Sequence, residues 1–299
     1  MAFRAGTVAI VGKPNVGKST LLNRIVGQKV SIVSNKPQTT RRAIMGIART
    51  DAYEIAFIDT PGVHIPHTVL GKAMLRQAET ALSDVDAILV VVDGSQRPDE
   101  LEQRIASMIA PEIRGAAEVI VCLNKMDKLK PEHVIERTEA YTDLFRSDQY
   151  MLTTATDGTN VDKLVAMIVA ALPEGDPRYP EDEFTDQSSR FMVSEIIRER
   201  VLVSTREEVP HATAVYIDDW DESRPELLQI RATILVEKPG QKAIIIGRAG
   251  QNIKKLGTEA RTEIEELLGR HIFLDLHVRV REEWRMNRRI VQELESDSG

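Results

Sequence analysis

The run Gly12-Lys13-Pro14-Asn15-Val16-Gly17-Lys18-Ser19, followed by Thr20, has the spacing G-x-x-x-x-G-K-S. That spacing lets a loop aim several backbone N–H groups at one chain of phosphates. Glycine at 12 and 17 allows so tight a curl without a Cβ clash. Lys18 can reach the β- and γ-phosphates, and the Ser19 hydroxyl can ligate Mg²⁺. The whole stretch from Gly12 to Thr20 is therefore the expected phosphate cradle. An apolar run, 7–11, precedes it as a buried strand, and 20–26 follows with apolar residues at helical spacing. Strand, loop and helix in that order are the context the pattern requires, and the helix start adds its positive dipole end.

Two further constellations extend the chemistry. Asp59-Thr60-Pro61-Gly62 closes the strand-like run 53–58. An aspartate there can hold the Mg²⁺ shell, and the Gly62 N–H can sense a γ-phosphate. The polar loop 34–42 offers a threonine to close on the metal. Thr40 is the expected one, with Thr39 as the competing assignment, so Ser19, Thr40 and Asp59 form the expected metal set. Asn124-Lys125-Met126-Asp127 ends another apolar strand, 118–123. The Asp127 carboxylate can accept two hydrogen bonds from the guanine edge, which adenine cannot supply. Asn124 and Lys125 should brace the loop and cover the base. Thr154-Ala155 follows a short strand, 150–153, where the Ala155 N–H would meet guanine O6. D-x-x-G and N-K-x-D are each weak alone; their order after a phosphate loop points to GTP and GDP as ligands. Lys18, Thr40, Gly62 and Asn15 are the residues expected to serve hydrolysis. Val63 departs from the glutamine that Ras-like GTPases use to orient the attacking water. Valine cannot hydrogen-bond water, so a slow intrinsic rate is expected.

These residues need a scaffold that brings strand ends together. Repeated β-α units, including the uninterrupted apolar strand 87–93 and helices at 100–109, 132–146 and 161–171, predict an α/β, doubly wound, mostly parallel sheet with the nucleotide outside the strands' carboxyl ends. The length of 299 residues suggests two domains. A proline- and acid-rich stretch, 172–182, reads as an extended, exposed linker. The expected division is a GTPase domain at 1–172, a linker at 173–187 and a second domain at 188–299. With a net charge of −7, the chain is not a globally basic nucleic-acid binder, so any such contact must be local. The single cysteine, Cys122, lies in an apolar run and reads as a core residue. No run approaches transmembrane length, and the early phosphate loop leaves no room for a signal peptide; the expected location is the cytoplasm.

The second half supplies the local patch. Helix 190–202, with Phe191, Glu195 and Arg198 on different faces, is followed by strands 212–217 and 228–236 as an antiparallel hairpin around an acidic turn, 218–224. Gly247-Arg248-Ala249-Gly250 then joins two helical segments, the G-x-x-G signature of a KH domain, here of the α+β, type II arrangement closed by strand 271–280. From 238 to 258 there are lysines and an arginine but no Asp or Glu. The expected RNA contacts are Lys242, Gly247, Arg248, Ala249, Gly250, Asn252, Lys254 and Lys255, beside an apolar platform at Ile244 to Ile246.

Taken together, the chain resembles the Era family, TrmE-Era-EngA-like GTPases with a C-terminal KH domain. Pro37-Gln38-Thr39-Thr40-Arg41, Asp59 to His64, Leu172-Pro173-Glu174-Gly175 and the G-x-x-G turn carry that resemblance across nearly the whole chain. It implies GTP hydrolysis coupled to binding the 3′ end of 16S rRNA on the 30S subunit during assembly, some peripheral contact with the inner membrane, and a monomer. Resemblance to GTPases with an asparagine in the phosphate loop further implies a K⁺ ligand at Asn15; the alternative is a loop asparagine that bonds its own backbone. Thr154 stands where the family commonly has serine. Asn23 and Arg24 look family-like but read as helix-surface residues.

Overall fold

The computed structural model describes residues 2–36, 38–114, 117–224 and 226–296. Pro37, part of the resemblance above, lies outside the described residues. The chain forms two compact units. One comprises 1–33, 40–66 and 71–186, and the other 34–39, 67–70 and 187–299.

The first unit is built on a six-stranded sheet in the order β2-β3-β1-β4-β5-β6. β1 (Arg4–Val11) runs parallel to β3 (Tyr53–Asp59) and β4 (Ala87–Asp93) on its two sides. β5 (Glu118–Asn124) and β6 (Tyr150–Leu152) continue in parallel, and β2 (Ile44–Arg49) is the antiparallel edge. Period-two alternation explains why both faces are covered. Val8 and Ile10 point into a core with Leu21 and Leu22 of α1 (Lys18–Val26) and Leu164 and Ile168 of α5 (Val161–Ala171). Ala9 and Val11 point the other way, to Ile105 and Ile109 of α3 (Glu100–Arg114) and Tyr141 and Phe145 of α4 (Val134–Phe145). α2 (Val69–Thr80), which the sequence reading passed over, adds buried Ala73, Met74 and Ala78. Helix α3 runs past Pro111, five residues beyond its expected end. Asp59, Asp93 and Asn124 are each the last residue of a strand, so the sheet delivers them to one edge.

The expected linker is free of helix and strand, but it is not loose. The Ala5 N–H donates to the Pro173 carbonyl, the Arg178 N–H to Glu54 at 2.7 Å, and the Ile47 N–H to the Phe184 carbonyl. Thr185 Oγ1 donates to the Met45 carbonyl. The free edge of β2 carries unpaired backbone groups, and this segment satisfies them. Compactness accordingly places 173–186 with the first unit.

The second unit has the order α6 (Ser189–Ser204), β7 (Ala214–Asp221), β8 (Leu228–Val236), α7 (Pro239–Ile246), α8 (Gln251–Leu268), β9 (Ile272–Val280) and α9 (Arg288–Ser296). β7 and β8 are antiparallel, as expected, and β8 and β9 are parallel. Ser188 caps α6 by accepting the Phe191 N–H. Three expectations change. Glu195 and Arg198 share a face, since they lie one turn apart and form an ion pair at 2.5 Å. The segment expected to be an acidic turn belongs to β7 as far as Asp221, with a bulge between Ile217 and Asp219 and the Asp218 carboxylate accepting from Thr233 Oγ1. Finally, Trp284 and α9 extend the unit past β9; Trp284 is fully buried and its Nε1–H donates to the Ala212 carbonyl. Among the described residues no helix is long and apolar enough to cross a membrane.

Candidate functional site

The loop between β1 and α1 is shaped by what its glycines exclude. A Cβ at Gly12 would collide with the Val91 carbonyl oxygen, and one at Gly17, where φ is +104°, with the Asn124 amide. Gly17 is the N-cap of α1, so the helix's unpaired N–H groups open into the loop. Lys18 folds back over it. Its ammonium donates to the carbonyls of Gly12 at 3.2 Å and Lys13 at 3.0 Å. Burial pushes the Lys18 pKa down to about 8, partly opposed by Asp59. This is a cation held in a dry cradle of dipoles, ready for a polyanion. Lys13 turns outward to Asp99 at 2.9 Å and Glu102 at 2.7 Å, pinning the loop to the start of α3. Pro14 lies so close to Gly62 that a Cβ there would meet the Pro14 nitrogen at 2.7 Å. Val16 is buried in the core, and Thr20 lies half-buried on α1 beside Ser19.

Beside Lys18, hard oxygen donors converge. Ser19 Oγ lies 2.9 Å from Thr40 Oγ1 and donates to Asp59 Oδ2 at 2.7 Å. Ser31 Oγ donates to the same Oδ2 at 3.1 Å. Asp59 is fully buried, and its Oδ1 has no hydrogen-bond partner among the described residues. Burial pushes the Asp59 pKa up, against the lowering influence of Lys18 and the three hydroxyls. A buried, orphaned carboxylate oxygen costs free energy unless a cation completes it. One carboxylate with two or three hydroxyls is the oxygen set Mg²⁺ accepts. Of the two candidate threonines, Thr40 stands at Ser19, whereas the Thr39 hydroxyl donates to the Lys36 carbonyl at 2.6 Å. Thr60 donates through Oγ1 to the Ile10 carbonyl at 2.8 Å, fixing the turn that carries Pro61 and Gly62. Val63 is fully buried, and its N–H donates to the Gly12 carbonyl.

Asn124 is the hub of the other side. Its Nδ2–H donates to the Val16 carbonyl at 2.8 Å, and its Oδ1 accepts from Thr153 Oγ1 and from the Ala155 N–H at 2.9 Å. The residue thus fastens the loop at 12–19 to the turn at 153–155. The Ala155 N–H, expected to face a base, is engaged by Asn124 here. Lys125, in left-handed conformation, reaches the Asn15 carbonyl at 2.6 Å and the Asp93 carboxylate at 2.9 Å. Asn15 is exposed and also left-handed, with φ of 63°. Met126 and Asp127 lie in a short 3₁₀ turn, with Asp127 exposed. Thr154 is buried and closes the turn through the Thr159 carbonyl.

Three contributors escaped the sequence reading. Asn23 Oδ1 accepts the Val30 and Ser31 N–H groups, and its amide donates to the Ser31 carbonyl at 2.7 Å. Arg24 donates to the Ala155 and Thr156 carbonyls, holding the base-side turn. Ser31 joins the Asp59 cluster. A polar pair on an otherwise apolar helix just after the loop was the available signal.

In the second unit, the G-x-x-G turn needs its glycines for different reasons. Gly247 has φ of 72°, and a Cβ there would strike the Asn252 side chain. Gly250 has φ of 78° but open space around it. Asn252 Nδ2–H ties the turn back to the Ile244 carbonyl at 2.9 Å. Arg248, Ala249 and Lys254 are exposed, Lys242 is half-buried, and Lys255 lies 3.8 Å from Glu259. The apolar platform differs from expectation. Ile245 is buried in the core, while Ile244 is 51% exposed. A mixed groove beside the turn, about 390 Å³, runs between α8 and β9, with Ile253, Phe273 and Leu276 on its walls beside Lys254, Thr258 and Arg261. Phe273 on β9 is 56% exposed.

Comparison with known proteins finds matches to both halves of the chain. A family model described as 50S ribosome-binding GTPase matches residues 7–125, and one described as KH domain matches 208–285. The protein called GTPase Era of Geobacter metallireducens is 46% identical over 293 residues, 98% of this chain and 97% of that one. Its counterpart in Geotalea daltonii is 43% identical over 97% of each. A crystal structure of Era with MgGDPNP and nucleotides 1506–1542 of 16S ribosomal RNA superposes with a TM-score of 0.93 at 38% identity, covering 99% of this chain and all of that one. A variant of Aquifex aeolicus Era bound to GDP and AlF₄⁻ gives 0.92, with the same identity and coverage.

Proposed function

The chain belongs to the GTPase Era family, and from that premise we propose that it is a GTP-hydrolysing switch that grips the 3′ end of 16S rRNA during assembly of the 30S subunit. The observation that carries the reading is Asn124. One buried amide joins the phosphate loop to the turn beside the base-reading segment, so the site recognises phosphates and base as one unit.

In this reading the N–H groups of 13–19 and Lys18 bind the β- and γ-phosphates. Gly62, packed against Pro14, reports the presence of the γ-phosphate. Ser19, Thr40 and Asp59 hold Mg²⁺, which when bound neutralises charge on the phosphate oxygens. Asp127 reads guanine, and Asn124 and Lys125 keep its loop in place. Because Val63 is buried in the core, it orients no water, and hydrolysis without a partner is slow. Asn15, exposed at the loop, is the ligand proposed for K⁺; equal hydrolysis rates in potassium and sodium salts would remove that part of the reading. RNA bases lie along Ile244 and the groove at Phe273, with phosphates on the G-x-x-G turn, Arg248 and Lys254. The protein works in the cytoplasm, with the inner-membrane surface as a secondary location. The first test is competition for bound labelled GDP. GTP displaces it and ATP does not; displacement by ATP at similar concentration contradicts the reading.

A further inference from the structure

Ser31 stands twelve positions after Ser19, yet its hydroxyl reaches the same carboxylate oxygen. It is only 2% exposed, as are its neighbours Val30 and Ile32 within a few per cent. The placement is enforced. Asn23 on α1 accepts the N–H of both Val30 and Ser31, at 3.0 and 2.9 Å, and donates to the Ser31 carbonyl at 2.7 Å. Three hydrogen bonds from one side chain fix two consecutive backbone units, and they leave Ser31 Oγ aimed at Asp59 Oδ2 at 3.1 Å.

The consequence lies in the rotation of the Asp59 carboxyl group. A buried carboxylate can spin about its Cβ–Cγ bond unless its oxygens are distinguished. Here Oδ2 takes both hydroxyls, from Ser19 and Ser31, and Oδ1 takes none among the described residues. A serine that offers an oxygen lone pair to a cation keeps its O–H for Oδ2, so both donors stay in place. Ser31, fixed by Asn23, is the one whose position does not depend on the cation, and it holds the carboxylate plane.

We propose that Ser31, locked by Asn23, is a positioning residue that orients the Asp59 carboxylate for a divalent cation and ties the root of loop 34–42 to that carboxylate. This rests on the reading of Ser19, Thr40 and Asp59 as the Mg²⁺ site. In this role Ser31 acts through Asp59 and is not itself counted among the ligands.

The test is the rate of release of fluorescent GDP from the full-length protein, titrated with free Mg²⁺. In Ser31→Ala the Mg²⁺ midpoint rises by about ten- to a hundred-fold, the range that one lost hydrogen bond to a charged acceptor produces. Release in excess chelator is unchanged, because no metal is then held. Ser31→Thr restores the midpoint. Asn23→Ala gives a shift in the same direction, and the double variant adds little to either, since both act through one hydroxyl. A midpoint in Ser31→Ala equal to that of the parent overturns the proposal, as does an equal acceleration of release with and without metal, which marks a general loosening of the site. If the parent protein shows no Mg²⁺ dependence at all, the metal reading itself fails, and the proposal with it.

Discussion

Asp127 presents its carboxylate on an exposed 3₁₀ turn, two residues past a lysine held in place by Asn15 and Asp93. Its two acceptor oxygens match the guanine N1–H and N2–H donors. Asp127→Asn turns one acceptor into a donor and reverses the match. GTP affinity should fall by about 100-fold or more, through one lost hydrogen bond, one donor facing a donor and the lost charge, while affinity for xanthosine triphosphate rises. Competition binding reads both. Lys18 gives a pH signature. Burial holds its pKa near 8 in the free site, well below the ordinary lysine value, and bound phosphates favour the charged form. Nucleotide binding therefore takes up a proton once the free ammonium begins to deprotonate. GDP affinity should be flat below about pH 8 and decline above it. A flat profile through that range would place the ammonium outside the cradle. The residues named so far were legible because phosphate and base chemistry restricts their types at fixed spacing. Asn23, Arg24 and Ser31 were not, because their partners lie in loops that only folding brings near. Nothing local distinguishes a serine set between Val30 and Ile32 from a solvent-facing one.

At the scale of elements, periodicity carried most of the architecture. Unbroken apolar runs in β1, β4 and β5 demand helices on both faces, and the helices are there. What escaped was tertiary. The polar run 218–221 continues β7 because β8 offers ladder partners and Thr233 a side-chain donor. α9 follows a charged segment whose buried anchor, Trp284, finds its place only against Ala212. The stretch between the two units has a linker's composition, yet the open edge of β2 claims it. The G-x-x-G turn separates folding from binding. Aspartate at Gly247 would strike Asn252, so loss of RNA affinity there could be loss of the turn. Gly250 has open space, and a side chain costs about 1 kcal/mol of left-handed strain. Gly250→Asp should therefore keep thermal stability within a few degrees and keep GTP hydrolysis, yet lose RNA affinity in filter binding through charge repulsion. Retained RNA affinity would move the contact away from this turn.

For the whole molecule, the question is how one unit informs the other. Thr39 is grouped with the second unit and Thr40 with the first, so the chain passes between them at that peptide bond. Within the second unit, Arg198 of α6 donates to the Thr39 carbonyl, while Thr40 stands at Ser19 in the first. The coupling we propose runs along the backbone from Thr40 to Thr39. Arg198→Ala should leave GDP binding near its original value but shrink the difference in RNA affinity between nucleotide states; an undiminished difference would route the coupling elsewhere.

The central claim is that the nucleotide governs the grip on RNA. It is tested most directly by the dissociation constant of an oligonucleotide matching the 16S 3′ end, measured with the protein bound to a non-hydrolysable GTP analogue and again with GDP, at one fixed salt concentration. The account predicts tighter binding in the triphosphate state by about ten-fold, a coupling of ordinary size. Equal constants in the two states would contradict it.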